Sequence, residues 1–320
     1  MTDTERPSYL RGAAILGAAA VVAKIIGALF KIPLYNLLSD EATGDFNITY
    51  NVYALLLTIS YAGIPVAMSR LVSTSRTLGN TRQMRKYFRV ALPAFSVVGI
   101  AVSLVMFIFA GQFAALMEDP NAVYGIRMLS PAVFLCCVIS VYEGYFQGHG
   151  DMLPTAVKQL IEVTSKLLFG LVIAWLLIRG GAPDEKVASG AITGVVFGLA
   201  IALPVLIGYK RRAKREPLAG TARSNLGTLA SILKVSVPIT LGASFMSIMA
   251  LLDSKVVMSR LQSASGAGFD LDTARGMFGV YAQCLTLYNL MPSLITAVTI
   301  SVVPAISAAI AAKRRSEARA

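Results

Sequence analysis

The residues best placed to do chemistry in this 320-residue chain are charged side chains inside apolar runs. Each costs at least about 2.5–3.5 kcal/mol at bilayer depth, so something must compensate it. Lys24 and Lys31 stand seven residues apart, two helical turns, and share one helix face. Lys24 falls near the middle of its run, where a lysine cannot easily snorkel. The pair reads either as two cations facing a cavity that receives an anionic substrate, or as one buried ion pair beside one snorkelling lysine. Glu162 precedes Lys166 by four residues, the favourable order for an intrahelical pair, which predicts that the two neutralise each other. Asp253 and Lys255 lie two apart and cannot face each other. Asp253 is a candidate coupling-ion or proton site, with a solvated helix end as the simpler reading. Glu143 and Arg70, near the ends of their segments, read as interfacial groups.

Other chemistries are excluded. Cys136, Cys137 and Cys284 all sit within apolar runs, without the spacing of a disulfide framework or a zinc site. The single histidine, His149, leaves no partner for a His-based metal site or a Ser-His-Asp triad, and no Walker-type glycine loop occurs. No enzyme activity, cofactor or metal is expected.

The elements that carry these residues follow from composition. Hydrophobic residues make up 56% and charged residues 14%, with a mean hydropathy of +0.67, which excludes a large soluble catalytic domain. Apolar segments run over about 12–38, 47–69, 90–116, 124–147, 154–178, 187–209, 231–257 and 277–311, predicting an all-α polytopic membrane protein of about eight transmembrane helices. The first, seventh and eighth exceed the bilayer's need and should tilt, bend or project. The first is too long for a cleaved signal peptide.

Basic residues crowd alternate connections: Arg70, Arg76, Arg82, Arg85, Lys86 and Arg89; then Lys210, Arg211, Arg212, Lys214, Arg215 and Arg223; then the tail. The remaining connections carry Asp40, Glu41 and Asp45; Glu118 and Asp119; Asp184 and Glu185; Asp270 and Asp272. The positive-inside rule then predicts both termini on the cytoplasmic side of the cell membrane. It also accounts for the net charge of +12 without nucleic acid, through attraction to anionic membrane lipids.

A weak repeat underlies the segments. Gly44-x-Phe46 followed by Tyr53 matches Gly279-x-Tyr281 followed by Tyr288, with Pro65 and Pro304 downstream. Helix two thus repeats as helix eight, in the same orientation, as in two parallel six-helix lobes of a transporter. The domains expected are a six-helix lobe with its basic linker over 1–225 and the first two helices of a second lobe over 226–320. Pro33, Pro65, Pro93, Pro131, Pro204, Pro238, Pro292 and Pro304 fall in or beside spans and predict bent helices. Tyr50, Tyr53, Tyr145 and Tyr281 read as packing groups or interface anchors.

Three blocks carry a more specific signal. The first runs Ala23-Lys24-Ile25-Ile26-Gly27-Ala28-Leu29-Phe30-Lys31-Ile32-Pro33-Leu34 to Gly44 and resumes at Gly63-Ile64-Pro65-Val66-Ala67-Met68-Ser69-Arg70. The second is Gly144-Tyr145-Phe146-Gln147-Gly148 with Pro154-Thr155-Ala156, Gln159 and Glu162; the third runs from Asn289-Leu290-Met291-Pro292 to Val303-Pro304-Ala305-Ile306-Ser307. In order and spacing they resemble the polysaccharide biosynthesis (stage V sporulation protein B) family, within the multidrug/oligosaccharidyl-lipid/polysaccharide exporter superfamily that includes MurJ-type lipid II flippases.

The resemblance implies fourteen helices in a typical member, of which this chain corresponds to the first eight. It implies a flippase for an undecaprenyl-pyrophosphate-linked sugar, with cell-wall synthesis proteins as neighbours. Lys24, Lys31 and Arg70 then occupy positions where lipid II flippases hold cavity arginines, with Glu162 and Lys166 as further substrate-binding candidates. Leu287 replaces a basic residue of those relatives, and Glu143 stands where the family often has Arg. The alternatives are an ion-coupled multidrug exporter using Glu162 or Asp253, and a membrane scaffold that transports nothing.

Overall fold

The computed structural model describes residues 6–213, 217–263 and 269–289, and it is helical throughout its long segments. In chain order the helices are α1 (Arg6–Leu37), α2 (Asp40–Tyr61), α3 (Ile64–Thr77), α4 (Thr81–Ile108), α5 (Ala110–Leu116), α6 (Ala122–Gly148), α7 (Leu153–Arg179), α8 (Asp184–Arg212) and α9 (Asn225–Ser263). A further helical stretch, α10, covers residues 271–289. Seven stretches among the described residues are long and apolar enough to cross a membrane, α2 and α3 together forming one of them. The eighth expected span lies mostly outside the described residues, as do Pro292 and Pro304. The protein is an all-α, multi-pass membrane protein.

Local chemistry sets the helix boundaries. Ser39 caps α2, its hydroxyl accepting from the Ala42 N–H at 3.1 Å. Asp40 and Glu41 follow in the first turn, where acids suit the helix dipole. The expected second segment divides in two, because Pro65 has no N–H to continue the ladder and opens α3 instead. At this break the Gly63 N–H donates to Thr240 Oγ1 of α9 at 3.0 Å, so a neighbouring helix satisfies what the interruption leaves free. The third segment also breaks, at Phe109 between α4 and α5. By contrast α1, α4, α6, α8 and α9 run on through Pro33, Pro93, Pro131, Pro204 and Pro238.

Helix α6 is the hub, with buried residues on every side, including Leu129, Val133, Cys137, Val141 and Tyr145. Around it pack α2, α3, α4 and α8, and one cluster of buried side chains joins Phe30, Phe46, Ile126, Ile192 and Leu199 across four helices. Helices α7 and α8 form the most extensive helix pair. Gly190, Gly194 and Gly198 recur every four residues along α8; a Cβ on Gly194 would lie 2.7 Å from the Gly170 nitrogen, and one on Gly198 2.9 Å from the Glu162 carbonyl oxygen. This small-residue face lets the two backbones touch. Helix α9 turns Leu241, Phe245, Met246 and Met249 outward, a surface suited to hydrocarbon.

The connection between α8 and α9 is held in place. Ala219 O accepts from the Arg82 N–H at 3.0 Å, Thr221 O from Asn80 Nδ2 at 2.8 Å, and Gln83 Oε1 from the Arg223 N–H at 2.7 Å. Residues 217–223 are thereby pinned to the start of α4.

Candidate functional site

Helices α6 and α7 bring three charged residues of the spans together. Lys158, one turn inside α7, lies 3.5 Å from Glu143 of α6 and 2.6 Å from Glu162. The expected Glu162–Lys166 pair is therefore replaced by Lys158–Glu162. The intrahelical order favours the former, but it ignores Glu143, which α6 brings to the same level. One lysine bridges two carboxylates on different helices, which a pair confined to α7 could not do.

Lys166 is left to aromatic rings, its ammonium 4.7 Å from the centre of Tyr50 and 5.2 Å from that of Phe30. Gly194 and Gly198 of α8 set the position of this stretch of α7, their faces abutting the backbones of Lys166 and Glu162. Glu143, with a side chain 12% exposed, is a buried partner of Lys158 and not an exposed group at a helix end.

On α1, Lys31 Nζ donates to Thr286 Oγ1 of α10 at 2.8 Å, and the Tyr35 hydroxyl meets the same oxygen at 3.1 Å. This face of α1 is thus turned toward α10. Lys24, two turns earlier on that face, is exposed and forms no ion pair among the described residues. Arg70, on α3, is also exposed. Asp253 of α9 accepts from the Tyr281 hydroxyl of α10 at 2.7 Å. Lys24, Arg70 and Asp253 are not drawn into the Lys158 cluster.

A second charged cluster closes the opposite, acidic end. Arg275 binds Asp45 of α2 through two bonds, Nε to Oδ1 at 2.8 Å and the second guanidinium nitrogen to Oδ2 at 2.9 Å. Asp272 accepts from it at 2.5 Å, and Asp119 Oδ1 lies 3.5 Å away. Arg275 and Asp45 are 4% and 2% exposed, so three of the acidic connections converge on one buried guanidinium. Burial, and then the charge of Asp45, push the Asp119 carboxyl well above the usual carboxylate range, against the pull of Arg275. The Asn121 N–H donates to Asp119 Oδ1 at 3.2 Å, while Oδ2 is buried without a partner.

The two glycines that the repeat equates meet beside this cluster. A Cβ on Gly44 would stand 2.5 Å from the Arg275 carbonyl oxygen, and one on Gly279 2.1 Å from the Asp40 carbonyl oxygen. Helices α2 and α10 therefore cross in backbone contact.

Sequence reasoning passed over Lys158, Arg275 and the α8 glycines. A signal existed for each: Glu143 and Lys158 are equidistant from the turn at 149–152, Arg275 is a base three residues from Asp272 in an acidic connection, and the glycines recur every fourth residue. Among the described residues, no group of His, Cys, Asp and Glu could hold a metal ion.

Known proteins place this arrangement. Stage V sporulation protein B of Bacillus subtilis (strain 168) is 25% identical over 308 residues, 94% of this chain and 58% of its own length. Lipid II flippase MurJ of the same organism is 30% identical over 220 residues, 66% of this chain and 40% of its own. The chain spans about half the length of these curated relatives. Among solved structures, a MATE protein in complex with MaD5 superposes with a TM-score of 0.65 at 14% identity, covering 98% of this chain and 69% of that one. The MATE transporter AtDTX14 gives 0.60 at 16% identity, covering 99% and 67%. These likenesses show the fold. The model of the polysaccharide biosynthesis protein family matches residues 9–310, nearly the whole chain, and the protein belongs to that family.

Proposed function

We propose that this chain carries the substrate-binding half of a flippase that moves an undecaprenyl-pyrophosphate-linked sugar, a peptidoglycan or polysaccharide precursor, between the leaflets of the cytoplasmic membrane. The observation that carries the reading is the lysine face of α1. Lys31 reaches across to α10, and Lys24 stands on the same face near the middle of the span Ala14–Leu37, with no carboxylate paired to it among the described residues. A cation at that depth costs free energy that an anionic ligand would offset. Family membership and the likeness to a relative named as a lipid II flippase support a pyrophosphate as that ligand.

In this reading Lys24, Lys31 and Arg70 receive the pyrophosphate, Lys166 adds positive charge beside Tyr50, and Glu162, neutralised by Lys158, fixes the wall of the site. The lipid tail stays in the bilayer while two parallel lobes, divided near residue 225, rock about the site. Transport makes and breaks no bond. The termini and basic connections lie on the cytoplasmic side, the Arg275 cluster on the outer side.

The test is complementation by the full-length protein in cells that depend on it for precursor flipping. Lys24→Met and Lys31→Met should each abolish growth at wild-type protein level, because the pyrophosphate would enter a low-dielectric site unpaired. Arg at either position should keep part of the activity, since charge and phosphate contacts persist. Growth supported by both Met variants would refute the cationic site. If Glu162→Gln or Asp253→Asn then proved to be the damaging changes, an ion-coupled exporter of cationic compounds would replace it.

A further inference from the structure

At the basic end of the bundle, away from the lysine face of α1, lies a cavity of about 620 Å3. Its walls include Arg85, Phe88 and Arg89 of α4, Tyr145 of α6, and Lys210 and Arg211 of α8, and among the described residues the one acid that lines it is Asp151. Among the described residues Arg89, Lys210 and Arg211 form no ion pair. Lys210 is instead seated on aromatic faces, its ammonium 3.9 Å from the ring centre of Phe88 and 3.1 Å from that of Tyr145. Those two rings brace each other edge to face at 5.0 Å.

Arg89, Lys210 and Arg211, crowded around one cavity and paired with no described carboxylate, repel one another, and an anion between them relieves that cost. The donor set is specific as well as charged. Arg89 and Arg211 offer planar guanidinium forks that match phosphate oxygens, and Lys210 offers a point charge that the rings keep from swinging into solvent. Depth selects among phosphates. The cavity lies where α4 begins and α6 and α8 end, the ends of helices long enough to cross a membrane, and Met84, Phe88 and Phe146 give it an apolar wall beside its charge. On the positive-inside rule this is the end that faces the anionic leaflet.

We propose that this cavity is a binding site for a phosphate-bearing anion, its favoured source being the headgroup of an anionic phospholipid in the adjoining leaflet. The site shares none of its lining with Lys24, Lys31 or Arg70, so the proposal stands or falls apart from the transport reading.

The experiment uses the purified full-length protein in detergent, titrated with cardiolipin, with phosphatidylcholine and with inorganic pyrophosphate, bound ligand being counted by native mass spectrometry. The wild type is compared with Arg89→Gln/Lys210→Gln/Arg211→Gln and with Arg82→Gln/Arg212→Gln/Lys234→Gln, which removes equal charge outside the cavity. The wild type should hold cardiolipin at least roughly tenfold more tightly than phosphatidylcholine, and only the cavity variant should lose that preference. Should the cavity variant unfold, Arg89→Gln/Arg211→Gln, which alters two exposed side chains and keeps Lys210 on its rings, gives the same comparison. Pyrophosphate binding lost only in the cavity variants, with no lipid preference, would support the phosphate site with a soluble source. Equal loss in the cavity and control variants, or loss in neither, would overturn the proposal.

Discussion

Lys158 is the residue on which Glu143 and Glu162 depend, since among the described residues it alone forms an ion pair with both. Lys158→Met would leave two largely buried carboxylates facing each other. It should destabilise the protein toward the lower end of the ~3–5 kcal/mol typical of a broken buried pair, because Glu162 keeps 30% exposure. Lys166→Met forfeits ring contacts and the more distant attraction of Glu162 and sheds a desolvation cost, so its effect should stay within about 1–2 kcal/mol. Thermal unfolding in detergent ranks the two; a larger loss for Lys166→Met would mean that Glu162 relies on Lys166 after all.

Asp119 makes a pH prediction at the same scale. Its carboxyl titrates higher in the fold than in the unfolded chain, so the fold favours the protonated form. The stability this contributes is fully present below the unfolded value and is lost as pH rises through the folded one. Asp119→Asn, which resembles the protonated acid, should match the wild type in acid and gain stability over it as pH rises above the usual carboxylate range. Unfolding midpoints measured from acid to alkaline pH check this, and parallel curves would contradict it.

At the scale of elements, glycine decides which helices can touch. Helices α7 and α8 meet along Gly190, Gly194 and Gly198, which holds the Lys158–Glu162–Lys166 stretch against a rigid neighbour. Helices α2 and α10 meet at Gly44 and Gly279, where each absent Cβ makes room for the other helix's backbone. Gly44→Ala or Gly279→Ala must push two main chains apart, at a cost of ~1–3 kcal/mol. Gly242→Ala, in open space on α9, should be neutral or stabilise by up to ~1 kcal/mol through helix propensity alone. Unfolding temperatures of the three variants in one detergent test this, and equal effects would mean that the α2–α10 crossing yields without cost.

For the whole molecule, charge separates the two ends of the bundle. Asp45, Asp119 and Asp272 converge on Arg275 at one end, while Arg85, Arg89, Lys210 and Arg211 line a cavity at the other. If the basic end is cytoplasmic, single cysteines at Arg82 and Arg212, in a background with Cys136, Cys137 and Cys284 replaced by serine, should escape an impermeant thiol reagent in intact cells. Cysteines at Glu41 and Lys186 should label. Labelling at Arg212 from outside would invert the orientation.

The sequence by itself determined an all-α chain and the order of its apolar spans along the sequence, because apolar length acts locally and needs no knowledge of neighbours. It also marked Lys24 and Lys31 as sharing a face, since helical period alone dictates that. Partner choice was another matter. Spacing favoured Glu162 with Lys166, whereas the packed bundle brought Glu143 of α6 to Lys158 and turned Lys166 toward Tyr50 and Phe30. Likewise Arg275 could be noticed as a base among acids in its own connection, but not that it would gather acids from two others as well. An ion pair depends on which helices are adjacent and at what depth. In this protein that is decided by where glycines let backbones approach, as Gly194 does for α7 and Gly279 for α2.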